Sequence, residues 1–147
     1  VRVVVAGKQT IPVSSKIFNN ALRERVICAT TASQSLSQKK KLQLKGVELL
    51  SMKYKRKKVD LSLLMDKLGK MGIMSIMIEG GAEISGDALK EKIVDKVIYF
   101  IAPKIIGGKR APGPVGGQGI SKLKDLIQLK DMSVAKLGDD FVIEAKI

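Results

Sequence analysis

The sequence contains no histidine and a single cysteine, Cys28. A Ser-His-Asp triad, a Cys-His pair and a zinc site are therefore excluded, and we expect no metal. One cysteine cannot form an internal disulfide, which is typical of a protein from a reducing cytoplasm. The chemistry of the chain must rely on carboxylates, lysines, hydroxyls, backbone groups or a borrowed cofactor.

Tryptophan is also absent, and aromatic residues make up only 3% of the chain, so Ile, Val, Leu and Met must fill the core. No apolar run has the roughly 18 residues of a membrane-spanning helix, and no signal-peptide pattern is seen. The length of 147 residues suits one domain, residues 1–147. The chain opens on a strand-like run at Val1, so we expect the N-terminal part of this domain to be missing. We expect a cytoplasmic protein with no membrane partner.

The charge balance is strongly basic, with 27 Lys and Arg against 14 Asp and Glu, a net charge of +13. Such a surface favours an anionic partner, which leaves nucleic acid, a phosphorylated substrate and a phosphorylated cofactor open. A lysine-rich surface without a binding role explains many of the same residues. The basic cluster at 53–58 has only Tyr54 to stack on a base, which argues against nucleic acid.

Strand-like and helix-like segments alternate over roughly residues 1–100. Apolar runs predict strands at 1–6, 25–31, 46–52 and 73–78. Helices are predicted from Asp60 as N-cap to Gly72 as C-cap, and over 82–93. A short exposed helix capped by Ser33 or Ser35 is also expected.

The remaining segments complete this pattern. Residues 53–58 are interpreted as a solvated loop, and a long strand is expected to end at Pro103. Residues 107–119 are interpreted as a functional loop. Two final strands flank a hairpin turn at 137–140. The order predicts an α/β fold with a mainly parallel central sheet, flanking helices and antiparallel C-terminal strands.

The stretch "IMSIMIEGGAEISGD" is the first candidate site. Glu79 closes a predicted strand that we interpret as central, and ligands of open parallel sheets bind beyond the carboxyl ends of strands. Gly80 and Gly81 let a ligand approach the backbone, and a helix starting near Ala82 would offer N–H groups to a phosphate. The alternative is that Glu79 caps the helix and the glycines form a tight turn.

Two other loops are weaker candidates. In "VAGKQTIP", Gly7 again allows close approach and Lys8 can pair with a phosphate. In "APKIIGGKRAP", Lys104, Lys109 and Arg110 supply positive charge around Gly-Gly. Taken alone, the first stretch is better explained by an ordinary connecting loop, and a solvated loop explains the second stretch equally well.

Two runs of this sequence, "IEGGAEISGDALKEKIVDKVIYFIAPKIIGGKRAP" and "VRVVVAGKQTIPVSSKIF", resemble the riboflavin-biosynthesis reductase family. This family comprises the archaeal and fungal type 2,5-diamino-6-ribosylamino-4(3H)-pyrimidinone 5′-phosphate reductases and the C-terminal domain of the bacterial bifunctional deaminase/reductase. The resemblance implies a dihydrofolate-reductase-like fold and a homodimer. It also implies NADPH-dependent reduction of the ribosyl group of a ribosylaminopyrimidine 5′-phosphate to the ribityl form.

By position, the resemblance implies that Glu79 binds the substrate and that Lys8 lies near the 2′-phosphate of NADPH. It assigns no catalytic residue. The implied cofactor contacts are Ala6, Gly7, Lys8, Gly80, Gly81, Ala82, Glu83, Ile84, Ser85, Gly86 and Asp87.

The sequence departs from the family in two places. Ala6-Gly7 replaces the Asp-Ser that usually follows the first strand, which removes two polar cofactor contacts. The family segment before this strand, with its Leu-Asp-Gly and Gly-x-Gly-Thr-Val runs, is absent, so we expect little activity from this chain alone. The alternatives are a folate or pterin reductase of the same fold, a basic nucleic-acid-binding module and a non-catalytic remnant.

Overall fold

The computed structural model describes residues 1–6, 11–31, 35–55, 58–108, 111 and 113–147, with the side chains at 54 and 55 excluded. The described chain divides into two compact units, Val1–Met74 and Ser75–Ile147. The single domain over 1–147 therefore stays a prediction. None of the helices in these ranges is long and apolar enough to cross a membrane.

The first unit is built on three parallel strands, β1 (Arg2–Ala6), β2 (Val26–Thr31) and β3 (Glu48–Met52), in the order β1-β2-β3. All six residues of β2 are buried because this strand has a neighbour on each side. The pairing brings Ala6 level with Thr30, and Thr31 level with Met52. The three strands predicted in this half of the chain are confirmed.

Two helices accompany this sheet, α1 (Leu36–Leu44) and α2 (Leu61–Lys70). Ser35 caps α1 by accepting a hydrogen bond from the amide of Gln38, at 3.3 Å. Asp60 caps α2 by accepting from the amide of Leu63, at 3.0 Å. Both predicted caps are confirmed, and each satisfies an amide that a helix start leaves without an intrahelical acceptor.

The core of this unit combines strand and helix residues of modest size. Three leucines at helical spacing bury the inner face of α2: Leu61, Leu64 and Leu68. A cluster beside the sheet holds Ala6, Phe18, Ala21, Val26, Cys28, Leu42 and Val47. This is the aliphatic interior that the scarcity of aromatic residues predicted.

The prediction of a solvated loop at 53–58 is wrong in part. Strands β4 (Tyr54–Lys55) and β5 (Lys58–Val59) pair antiparallel as a small ribbon. Val59 is buried and anchors the ribbon to the unit. Strand pairing uses backbone groups, so the lysine-rich sequence did not prevent it.

The second unit contains helix α3 (Ala82–Lys90) and an antiparallel sheet of β6 (Lys96–Ile101), β7 (Lys130–Leu137) and β8 (Asp140–Lys146). The strand order is β6-β8-β7. Gly138, with φ +62°, turns the chain between β7 and β8. This confirms the predicted C-terminal hairpin, whereas β6 ends two residues before Pro103.

The strand predicted at 73–78 is wrong. These residues pair with no strand that the structure describes, and the described central strand is β2. Met74 is 94% and Met77 75% exposed, so the apolar run does not lie inside a covered sheet. An apolar sequence favours a strand, but it becomes one only when its N–H and C=O groups meet a partner strand.

Candidate functional site

The carboxyl end of the parallel sheet places Ala6 beside Thr30 and Thr31. Both threonines are buried, and the hydroxyl of Thr30 donates to the carbonyl oxygen of Thr31 at 3.2 Å. Ala6 is buried as well. Gly7 and Lys8, the other two predicted cofactor contacts here, lie outside the described residues.

Sequence reasoning missed Thr30 and Thr31. The available signal was the run "RVICATT", in which two hydroxyl side chains close an apolar strand. Ligands of parallel sheets collect beyond the carboxyl ends of the strands, so polar residues at that end are candidates for binding. The central place of β2 makes this end the middle of the described edge.

The start of α1 lies near Ile11. Gln38 Nε2 donates to the carbonyl oxygen of Ile11 at 2.9 Å, which ties this residue to the helix. A cavity of about 180 Å³ opens here between Val13, Ser35, Ser37, Gln38 and Lys41. Pockets for drug-sized ligands measure roughly 300–1,000 Å³, so this cavity is too small to hold a whole dinucleotide.

In the second unit, Glu79 closes a run, residues 75–79, that forms neither a helix nor a strand. Its side chain is exposed, and it makes no hydrogen bond or ion pair with the residues that the structure describes. A solvated carboxylate without such a partner is available to hydroxyl or amino groups of a ligand.

Gly80 and Gly81 differ in their surroundings. A Cβ on Gly80 would come within 2.8 Å of Cγ2 of Ile84, whereas nothing lies within 4 Å of a Cβ on Gly81. Neither glycine has a positive φ, so neither is required by the backbone conformation. Gly80 therefore has a close side-chain neighbour, whereas Gly81 leaves open space beside the helix start.

Helix α3 begins immediately after these glycines. Gly81 is its N-cap, and the carbonyl oxygen of Gly81 accepts from the amides of Ile84 and Ser85 at 3.1 and 3.3 Å. The hydroxyl of Ser85 donates back to the carbonyl oxygen of Gly80, at 3.3 Å. The first turn is thus fixed without any capping side chain, and a helix start leaves N–H groups without an intrahelical acceptor.

The rest of the predicted cofactor segment does not all face this side. The backbone of Gly116 lies against Ala82 and Gly86, and the amide of Gly117 donates to the carboxylate of Glu83. Ala88, later in the same helix, is buried. Gly107 and Gly108 form the expected turn after β6 with φ +66° and +90°, whereas Lys109 and Arg110 lie outside the described residues.

Among the described residues, three groups have pKa values displaced from their ordinary range. Hydrogen bonds from Arg25 to Glu48, at 2.8 and 3.1 Å, lower the pKa of that carboxyl and raise the pKa of the guanidinium. Burial raises the pKa of the Cys28 thiol to about 11. The thiol is therefore protonated at neutral pH and behaves as a small buried hydrophobe. Over the described ranges, no three Cys, Asp or Glu side chains gather into a metal site.

Comparison with known proteins places the chain among riboflavin-biosynthesis proteins. Residues 1–143 match the family model described as RibD C-terminal domain. The chain is 35% identical over 144 residues to the riboflavin biosynthesis protein RibD of Actinobacillus pleuropneumoniae, covering 98% of this chain and 38% of that protein. It is 29% identical over 147 residues to the 2,5-diamino-6-ribosylamino-4(3H)-pyrimidinone 5′-phosphate reductase of Aquifex aeolicus, covering 100% of this chain and 64% of that protein. The chain thus spans less than two thirds of the length of both relatives.

Solved structures give the same result for the fold. Acinetobacter baumannii RibD, form 2, superposes with a TM-score of 0.78 at 22% identity, over 99% of this chain and 37% of that one. The riboflavin biosynthesis reductase Rib7 of Saccharomyces cerevisiae superposes with a TM-score of 0.73 at 23% identity, over 98% of this chain and 67% of that one. These likenesses confirm the predicted fold class.

Proposed function

The chain belongs to the family of the RibD C-terminal domain, and we propose that it carries the reductase step of riboflavin biosynthesis. The substrate is a ribosylaminopyrimidine 5′-phosphate, whose ribosyl group is reduced to the ribityl form. The observation that carries this proposal is the match along the whole chain to the Aquifex aeolicus protein named for that reduction.

The reaction requires few chemical groups from the protein. C1′ of the ribosyl group accepts a hydride, the bond between C1′ and the ring oxygen breaks, and the ring oxygen takes up a proton. A bound nicotinamide cofactor supplies the hydride. The task of the chain is to hold both reactants in line and to exclude water, which is consistent with a sequence that has no histidine.

The start of α3 fits the phosphates of such a cofactor. Gly81 leaves open space where a side chain would stand, and the N–H groups of the first turn carry the positive end of the helix dipole. Residues Gly80–Asp87 and, in the first unit, Ala6–Lys8 are the proposed cofactor contacts. The net charge of +13 supports NADPH, with its additional 2′-phosphate, and Lys8 is proposed to bind that phosphate.

Glu79 is proposed to bind the ribosylaminopyrimidine. Its exposed carboxylate directly precedes the glycines at the start of α3. Glu79 is therefore only two positions from Gly81, where the cofactor is proposed to bind. A carboxylate accepts hydrogen bonds from hydroxyl and amino groups, which the substrate carries on its ribosyl and pyrimidine parts. We further propose a cytoplasmic homodimer that binds neither nucleic acid nor membranes.

Turnover by the full-length protein tests this function. The oxidation of NADPH is followed with the diaminopyrimidinone substrate, its deaminated aminouracil counterpart and dihydrofolate. We expect turnover with one or both ribosylaminopyrimidines and none with dihydrofolate. Turnover of dihydrofolate alone would favour the pterin reductase of the same fold.

The cofactor is tested separately by thermal shift. A ligand that binds the folded state stabilises it by an amount that grows with its affinity. We expect a larger increase in Tm with NADPH than with NADH at equal concentration. Equal increases would contradict the preference for the 2′-phosphate. A basic nucleic-acid-binding module would instead show steeply salt-dependent retention of nucleic acid on filters.

A further inference from the structure

A glycine-rich loop, residues 113–119, contacts the first turns of α3 through its backbone. The amide of Gly116 donates to the carbonyl oxygen of Ala82 at 2.8 Å. The amide of Gly117 donates to Oε1 of Glu83 at 3.3 Å. Two successive loop amides thus bind two successive helix residues, and we call this contact the clasp.

Two glycines make the clasp possible. A Cβ on Gly86 would overlap the carbonyl oxygen of Gly116 and come within 2.9 Å of its carbonyl carbon. A Cβ on Gly116 would come within 3.0 Å of Cβ and 3.1 Å of the carbonyl carbon of Ala82. Because most of these neighbours are backbone atoms, no change of rotamer relieves the overlap, and a side chain at Gly86 must push the loop and the helix apart.

We propose that the clasp holds the first turn of α3 in position for the cofactor, so that Gly86 and Gly116 are positioning residues. This inference rests on the proposed function, because it assumes that the first turn binds the phosphates. It also divides the predicted cofactor segment into two sets. The open side of Gly81 faces the ligand, whereas Ala82, Glu83 and Gly86 face the loop.

The clasp acts through small displacements. Amides at a helix start bind a phosphate only when they converge on it. A displacement of about 1 Å near a reacting site is enough to lower the reaction rate on the order of a hundredfold. The clasp also fixes the position of the Glu83 carboxylate. This carboxylate lies in the same turn as the proposed phosphate site, and the hydrogen bond from Gly117 holds it against the loop.

Four variants of the full-length protein test the proposal, with dissociation constants for NADPH measured by titration and Tm measured in parallel. We expect Gly86→Ala and Gly116→Ala to weaken NADPH binding by about tenfold or more, since both displace the first turn. Gly113→Ala is the matched control, because it lies in the same loop, has no positive φ and has nothing within 4 Å of its Cβ. Gly69→Ala is the control for a glycine inside a helix, with equally open surroundings in α2. Both controls should bind NADPH as the unchanged protein does.

The Glu83 pair decides the matter if either clasp variant fails to fold. Glu83→Gln keeps an oxygen that accepts from the amide of Gly117, whereas Glu83→Ala does not, so the alanine variant should bind NADPH more weakly than the glutamine variant. Wild-type affinity in the folded clasp variants, or in Glu83→Ala, would overturn the proposal. So would a lower Tm with an unchanged dissociation constant, because the clasp would then be purely structural. If the unchanged protein binds no nicotinamide cofactor, the proposed function itself fails, which is a different result.

Discussion

Gly80 lies against the side chain of Ile84, and this contact separates two adjacent glycines that look alike in the sequence. A Cβ on Gly80 would approach Cγ2 of Ile84 to 2.8 Å, whereas Gly81 faces open space. A side chain at Gly80 would therefore displace Ile84. Gly81 is free to take a side chain unless a ligand occupies that space.

Replacement of Gly81 by serine tests whether a cofactor approaches here. Serine is a better N-cap than glycine by a few tenths of a kcal/mol, so Gly81→Ser should fold with equal or slightly higher stability. Its added side chain should nevertheless weaken NADPH binding, because it fills the open space beside the first turn of α3. The measurement is a dissociation constant together with Tm.

The matched comparison is Gly80→Ala. This change forces Ile84 to move and should lower stability by about 1–3 kcal/mol, as overpacking usually does. If Gly81→Ser binds NADPH as tightly as the unchanged protein, the cofactor does not approach this glycine.

Local sequence patterns predicted some elements of the fold and not others. The pattern of apolar runs predicted β1, β2, β3, α2 and the last hairpin, since each depends on local periodicity, caps or turn residues. The strand at 73–78 failed because pairing depends on a distant partner, which no local pattern reveals. The contact between Gly86 and Gly116 could not be predicted either, because residues 87–115 lie between them in the sequence and only the fold brings them together.

For the candidate site, the sequence identified the segment but not which of its residues face a ligand and which pack against the protein. The resemblance marked Gly80–Asp87 as one cofactor segment. The structure shows that Gly80 faces Ile84 and that Gly86 faces Gly116. Thr30 and Thr31 were missed because their strand reads as a simple apolar run, and its central position becomes visible only from the strand order.

The role of Glu79 is tested by Glu79→Gln, which keeps the shape of the side chain and removes its charge. If the carboxylate binds the ribosylaminopyrimidine, kcat/KM for that substrate should fall by about tenfold to a hundredfold, as expected when a hydrogen bond to a charged group of 1.5–3 kcal/mol is lost. The dissociation constant for NADPH should change little. Stability should also be unchanged, because Glu79 is exposed and has no described partner. Equal effects on substrate and cofactor would contradict a role in substrate binding.

Lys92 is expected to limit the stability of α3. The residue that follows the C-cap has a left-handed conformation after all three helices, with φ +86° at Gly46, +82° at Gly72 and +56° at Lys92. Glycine adopts this conformation without the cost of roughly 1–2 kcal/mol borne by other residues. After allowing for the greater freedom of glycine in the unfolded chain, Lys92→Gly should raise the free energy of unfolding by about 0.5–1 kcal/mol.

The control for this variant is Lys90→Gly, the same change inside the last turn of α3. Glycine within a helix is less favourable than other residues by about 0.5–1 kcal/mol, so this variant should lose stability. Urea unfolding of both variants gives the comparison. A loss of stability in both would mean that Lys92 makes a contact worth more than its backbone strain.

Cys28 should make the free energy of unfolding fall at alkaline pH by an amount that is missing in a variant without the thiol. Burial raises the pKa of this thiol to about 11, whereas an exposed thiol has a pKa of about 8.5. The folded state therefore holds the proton more tightly than the unfolded chain, and this contribution to stability is fully present below pH 8.5 or so and is lost as the pH rises toward 11. Between these values, the free energy of unfolding should fall with pH more steeply than in Cys28→Ala, by up to about 1.4 kcal/mol per pH unit. Lysines and tyrosines titrate in both proteins, so urea unfolding of the pair at about pH 8 and about pH 10 isolates the thiol. A difference in unfolding free energy that stays constant between the two pH values would show that the Cys28 pKa is not raised.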